Sequence, residues 1–434
     1  HFVAVDGAGV GPGAGGPVAG ASARRHISDA PYPLVDVNLP AGPGQPPIIA
    51  RSAWAGQRRA PASGPYYGAI DLAFVHHTEN PNGYSPGQVP AMLLAIYDYH
   101  RFTRGYFDIA YNFVIDAWGR IWEARAGGVD APVVGAHAGG YNAVSTGVAI
   151  LGTFSFAQPP AAAMASLQQL LVWKLALHGV PALGEVRVEV NPSDAFYTPF
   201  APGQRVLLPR IAGHRDGDMT SCPGDDLYHR LPAVRAKVNG QAGPLYALQL
   251  AAAHTTVAPG TAVRLSGTYA QKLPPPAAPM AGAPVQIQGI SGDDVLTTLA
   301  TVTTDAGGAF TATVPVAQSA VLRALHAARP ASVSPLVVVG VTPVLTLALA
   351  SAAGAPVRVS GTIAPAKPVT VTVYKLVGGQ RQLVSSRRLK AAGGTYNARV
   401  SLGPRPRGTY VIVARVAADA VSLGAVAPAV RVTL

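Results

Sequence analysis

The sequence has one cysteine, Cys222, in 434 residues, so no disulfide can form within the chain. A lone cysteine is an inert buried residue, a reactive thiol or a metal ligand, and composition does not choose among them. Charged residues are scarce at 12%, while hydrophobic residues reach 49%. That balance excludes an intrinsically disordered chain. The 48 Gly and 40 Pro show no three-residue period, which excludes collagen. Long apolar runs are also lacking. The one uncharged stretch of membrane-spanning length, Ala331 to Val357, is broken by Pro335, Gly340, Pro343 and Gly354. Its pieces PLVVVGV and VLTLALA are strand-length and β-branched, so it reads as two buried strands and not as a transmembrane segment.

Acidic residues are nearly missing from the second half. Residues 244–434 hold four Lys and twelve Arg against four Asp and no Glu, and residues 343–434 retain only Asp419 beside twelve bases. Residues 1–243 are balanced, so the whole net charge of +12 sits in the second half. A basic excess confined to one terminal module points to a polyanionic partner. Nucleic acid, anionic cell-wall polymer and membrane surface all qualify on charge alone. No aromatic-interleaved basic motif supports nucleic acid.

The length argues for two to four domains. Residues 1–46, rich in Gly, Ala and Pro, read as an arm. The chain begins at His1, which fits a removed export signal and equally an arbitrary start. Residues 47–243 alternate strands and helices, an α/β unit. AFVHHT, AYNFVI and VAILGTF have the character of buried strands. SPGQVPAMLLAIYDYHRF predicts a helix with Ser85 as N-cap, Pro86 at its first position and Gln88 three residues on. Further helices are expected over 161–178, ending at Gly179, and from Asp225 to Gly240.

Residues 244–434 contain an internal repeat. VRLSGTYA (263–270) matches VRVSGTIA (357–364), PVQIQGI (284–290) matches PVTVTVY (368–374), and AGGAFTATV (306–314) matches GGTYNARV (393–400). The copies, 244–342 and 343–434, predict two all-β, immunoglobulin-like sandwiches. Asp293 and Asp294 read as a turn rather than a calcium site.

The residues that carry chemistry lie in 47–243. His76 and His77 end the apolar run AFV. Taken alone they read as two partly buried histidines. His214 and Cys222, eight apart on a Gly- and Pro-rich loop, can converge on one centre. Zinc accepts imidazole and thiolate and in catalytic sites keeps an open position, so His76, His214 and Cys222 would make such a site. Two His and one Cys do not by themselves define it.

Five segments occur in the order seen in one known family: IIARSAWAG with Arg51 and Trp54, FVHHT, GYFDIAYNFVIDAWGRIWEAR, VVGAHAGGYNAVSTGVAILGTF and AGHRDGDMTSCPGDDLY. Together they resemble the peptidoglycan recognition proteins and type 2 N-acetylmuramoyl-L-alanine amidases, over about residues 48–238. The resemblance implies a mixed central sheet flanked by helices and a Zn2+ held by His76, His214 and Cys222. It implies catalytic roles for Tyr111 and Thr220, and substrate contacts at His77, Gly105, Tyr106, Arg125, His137 and Asn142. Gly105-Tyr106 falls where members preferring diaminopimelate peptides carry Gly-Trp. Arg125 falls where an arginine pairs with the extra diaminopimelate carboxylate, a contact that suits a bidentate guanidinium. Non-catalytic members lack the cysteine. Arg215 and Asp216 read as braces of the metal loop. The expectation is a secreted, wall-located zinc amidase cutting between N-acetylmuramic acid and L-alanine. Its partners would be the stem peptide and glycan, with an anionic wall polymer at residues 343–434. The alternatives are a non-catalytic peptidoglycan-binding protein and an adhesive surface protein led by its β repeats.

Overall fold

The computed structural model describes residues 44–56, 60–290, 296–328, 331–349, 357–402, 407–418 and 422–433. Most of the expected arm and the Asp293-Asp294 pair lie outside the described residues.

The first part of the chain builds one mixed sheet. Its strands are β1 (Ile48–Ile49), β2 (Leu72–His77), β3 (Phe113–Ile115), β4 (Ile121–Glu123), β5 (Ser145–Ile150) and, after a separate hairpin of β6 (Glu185–Glu189) and β7 (Arg205–Pro209), β8 (Ile211–Gly213). The order is β1-β4-β3-β5-β2-β8, parallel at every step except the β3–β4 hairpin. β2 and β5 are buried along their whole length, as expected of strands covered on both faces. The hairpin turn is pinned by Asp116, which accepts from the backbone of Trp118 and Arg120 and from the Trp122 indole. Trp122 is thereby buried, whereas Trp118 stays exposed.

Helices cover both faces. α1 (Ser52–Ala55) and α2 (Val89–Asp98) pack on one side with Trp54, Leu93 and Ile96. α3 (Ala161–Leu177) packs on the other through Leu167, Leu170 and Leu171. The helix expected over 85–102 is a composite. Pro86–Gln88 forms a 3-10 turn, α2 follows, and Tyr99–Thr103 widens into a π turn. Gln88 closes the start by accepting from the Ser85 N–H. α3 stops at Gly179, whose φ of +67° permits the reversal. After α4 (His214–Gly217), the helix expected from Asp225 is two, α5 (Asp225–Tyr228) and α6 (Leu231–Gln241), with Pro232 in the first turn of the second.

The remaining chain is entirely strand and turn among the described residues. β9 (Leu245–Ala252), β11 (Thr261–Leu273), β12 (Ala278–Pro279) and β15 (Ala309–Val316) form one sheet. β10 (Thr256–Val257), β13 (Pro284–Ile290), β14 (Leu296–Thr303), β16 (Ala320–His326), β17 (Ser332–Val333) and β18 (Val337–Val341) form a second, and both contribute to one core around Val263, Leu265, Ile287 and Val314. β19 (Val344–Leu345), β20 (Ala348–Leu349), β21 (Arg358–Ala364) and β24 (Thr395–Arg399) face β22 (Val369–Val377), β23 (Gln380–Leu389), β25 (Thr409–Val416), β26 (Ala425–Val426) and β27 (Val430–Thr433) around a further core. The sequence repeat is visible in the pairing. Gly267 of β11 lies opposite Phe310, and Gly361 of β21 lies opposite Tyr396. A Cβ at either glycine would strike the aromatic ring. Of the two buried strands expected after Ala331, the first is β18, while the second is broken into the short, mostly exposed β19 and β20, and residues 350–356 lie outside the described residues. No helix among the described residues is long and apolar enough to cross a membrane.

Candidate metal centre

Strand alternation sends the two adjacent histidines of β2 to opposite faces. His77 shares the side of Ala73 and Val75, against the α3 core, and His76 shares the side of Phe74. β8 runs parallel to β2 and hands over directly to α4, so His214 arrives with its ring centre 4.5 Å from that of His76. The loop that follows doubles back. Arg215 N–H donates to the Cys222 carbonyl at 3.0 Å, and Cys222 N–H donates to the Thr220 hydroxyl at 3.1 Å. Arg215 pairs with Asp225 at 2.6 Å and Asp216 accepts from Gly213 N–H and the Tyr228 hydroxyl, so this pair braces the loop.

His76, His214 and Cys222 are all buried, and one donor atom from each lies within 4.8 Å of the others. Cys222 Sγ is 3.7 Å from His76 Nδ1. Ligands at zinc distances in a tetrahedron stand roughly 3.3–3.8 Å apart. His214 gives its Nε2–H to Asp218 at 2.9 Å, which leaves Nδ1 as a buried lone pair without a protein partner. A carboxylate behind a ligating imidazole fixes the tautomer and ring orientation. Burial, and next the neighbouring His214, lowers His76 well below the ordinary imidazole range. A neutral imidazole is the form that binds metal. The donor set, the orphaned Nδ1 and the burial therefore fit zinc.

Two further groups complete the cluster. His137 Nδ1 lies 3.2 Å from His76 Nε2. It occupies space over β5 because Gly147 has no side chain there: a Cβ on Gly147 would lie 2.4 Å from the His137 ring. Tyr111 is buried, its ring 5.2 Å from that of His76, and its hydroxyl has no protein partner. Burial raises its pKa well above the ordinary phenol value, so the hydroxyl keeps its proton and can donate.

Other expected residues are placed differently. His77 Nδ1 accepts from Phe154 N–H at 3.2 Å, and its Nε2 lies 3.3 Å from Glu79, away from the cluster. Asn142 braces a loop, its carbonyl accepting from His137 and Ala138 N–H and its amide donating to Asp194. Tyr106 turns inward and stacks on His100, while Gly105, at φ +75°, makes the turn before it. Arg125 donates to the Ile109 carbonyl at 2.8 Å. Two contributors escaped the sequence reading. Asp218, four residues after His214 on a short helix, was hidden among loop acids. It also accepts from Gly139 N–H at 2.7 Å, tying the metal loop to the His137 loop. His100 backs Tyr111 with ring centres 5.7 Å apart, because the π turn swings it inward.

The family described as N-acetylmuramoyl-L-alanine amidase matches residues 66–225. Peptidoglycan-recognition protein 1 of Holotrichia diomphalia is 29% identical over 158 residues, covering 35% of this chain and 78% of that protein. Drosophila PGRP-LB is 24% identical with a TM-score of 0.34, covering 43% of this chain and 92% of that one. The N-acetylmuramoyl-L-alanine amidase LysC of Clostridium intestinale URNW is 22% identical with a TM-score of 0.32, covering 45% and 98%. Residues 66–225 thus match the N-acetylmuramoyl-L-alanine amidase family, and the first half of the chain is similar to peptidoglycan recognition proteins.

Proposed function

We propose that this chain is a secreted zinc hydrolase that cuts the amide between N-acetylmuramic acid and L-alanine in peptidoglycan. The observation that carries this reading is the buried meeting of His76, His214 and Cys222 beside the unpartnered hydroxyl of Tyr111. A family member that only bound peptidoglycan would have no use for that thiol. Zinc held by these three residues supplies a Lewis acid and an acidified water. The chain's own groups do the rest. Asp218 orients His214, and His137 orients His76. Tyr111 offers a proton-bearing hydroxyl for the attacking water or the oxygen of the tetrahedral intermediate. Thr220 shapes the cysteine turn through its hydroxyl and is proposed to support the same oxygen. Arg125, His137 and Gly105 are proposed to contact the stem peptide.

The two β regions read as immunoglobulin-like sandwiches that hold the enzyme at the wall. In the last one four arginines share a face. Arg388 and Arg415 flank Thr370 in one row, Arg431 stands opposite Val411 in the Tyr374 row, and Arg381 stands opposite Leu376. All four are exposed, and no acidic side chain is present among the described residues of this region. That face suits a repeating polyanion such as a polyol-phosphate polymer of the wall.

The test is metal analysis beside mass spectrometry of digested peptidoglycan. About one zinc per chain with free peptides beginning at L-alanine supports the hydrolase. Zinc without released peptide moves the chain to the recognition class. Tyr111→Phe should lower turnover by roughly a hundredfold to a thousandfold with zinc retained, the scale of one lost transition-state hydrogen-bond donor.

A further inference from the structure

We propose that the first β region is a working part of the hydrolase domain: Arg323 crosses the domain boundary to hold Asp130, and through it the loop that sets both Tyr111 and His137.

The loop spans residues 124–137, and both of its ends touch the site. At its start, Arg125 N–H donates to the Tyr111 carbonyl. At its end, His137 meets His76. Midway on its return, the Val133 carbonyl accepts from Asn112, the residue after Tyr111, at 2.9 Å. The apex is gripped by two cations from different elements. Lys174 of α3 donates to the carbonyls of Val129 and Ala131, each at 2.8 Å. Arg323 of β16 donates to the Asp130 carboxylate at 2.6 Å and to the side-chain amide oxygen of Gln288 at 2.9 Å. His178 faces the Asp130 carbonyl at 3.1 Å.

Arg323 is 1% exposed, which no tethering module needs of its own arginine. A buried guanidinium is stable only when paired and hydrogen-bonded, and its partner is supplied by the other domain. The apolar contact agrees: Ala331 and Val333 of the β region are continuous with the core that holds Leu167 and Leu171 of α3. Breaking one partner of such a pair leaves an uncompensated buried charge, so the apex should loosen and the loop's two ends with it. Arg323 and Asp130 are positioning residues. Neither lies in the metal cluster.

The test uses the full chain. In Arg323→Met, hydrogen exchange of amides 124–137 should rise about tenfold or more, while strands β11 and β15 of the β region keep their protection. That arm is independent of any activity. A second arm rests on the hydrolase reading: because the loop sets Tyr111, kcat for a soluble muropeptide should fall about threefold or more, with KM moving less. The double variant Arg323→Met, Asp130→Asn should exchange no faster than Arg323→Met alone, because both break one contact. Unchanged exchange at 124–137 would overturn the proposal even if the enzyme cleaves normally. Faster exchange without any cleavage would leave the proposal standing and count against the hydrolase. Should Arg323→Met fail to fold, Arg323→Lys reads the same amides: it keeps the charge but loses the fork, and native-like exchange there would overturn the proposal.

Discussion

The two halves of this chain use polar groups in opposite ways. In the first half, net charge is zero, and imidazoles, a thiol and a phenol turn inward, with His137 Nε2, His214 Nδ1 and the Tyr111 hydroxyl left without a protein partner. In the last β region the charge is of one sign and turns outward from a sheet face. The difference decides how sharply each can be assigned. Buried polar atoms must be satisfied, so a small cluster with a fixed donor set names its guest closely. Exposed arginines are already satisfied by water and name only the class of partner, a polyanion.

The sharpest way to break this comparison is Cys222→Ser. A hydroxyl is a far poorer zinc ligand than a thiolate, so metal content should fall from about one per chain to near zero and amide cleavage should fall with it. Metal analysis at matched protein concentration checks this. Full metal content in the variant would mean that the inward cluster does not need its thiol. The fold should survive, because a serine fits the same turn held by Thr220 and Arg215.

The outward half is sharpened by replacing Arg388 and Arg415 with Ser. Each arginine that neutralises a phosphate contributes roughly one unit to the slope of log affinity against log salt. The double variant should therefore bind a polyol-phosphate polymer with a slope shallower by about two, and cleave a soluble muropeptide at the wild-type rate. Salt-independent binding in the parent chain would end the electrostatic account.

The same contrast explains what could be read from the sequence. The three proposed metal ligands came from the resemblance, because two His and one Cys do not by themselves define a site; the fold brings their donor atoms within 4.8 Å of one another. The β repeats were legible because glycine and aromatic recur at matched positions, and Gly267–Phe310 and Gly361–Tyr396 show the pairing behind the pattern. The resemblance already set His76, a metal ligand, apart from His77, and strand alternation is the physical reason the two rings part. For Tyr106 and Asn142, expected to contact substrate, the structure adds a ring stack on His100 and a hydrogen bond from the His137 loop, which no local pattern announces. Asp218 needed the helical turn of α4 to bring it under His214. Arg323 and Asp130 are 193 residues apart, and nothing local in either segment announces the other.

The smallest effect sits where the two kinds of charge meet. Lys174 is buried beside Asp130, Arg323 and a His178 that burial keeps neutral. Burial lowers its pKa to about 7; Asp130 opposes the shift and Arg323 adds to it. In the unfolded chain the same lysine titrates near 10.4. Between about pH 7 and pH 10 the unfolded state therefore holds a proton that the folded state has released, and stability rises with pH across that window. Below about pH 7 both states are protonated and the burial penalty is felt in full. Lys174→Met removes this slope, so the midpoint in urea should change less between pH 7 and pH 9 than it does in the parent. An identical pH slope in the two proteins would show that Lys174 does not titrate there. Because Arg323 adds to the downward shift, Arg323→Met should move the window upward, so a single titration series reads the lysine and its neighbour across the domain boundary together.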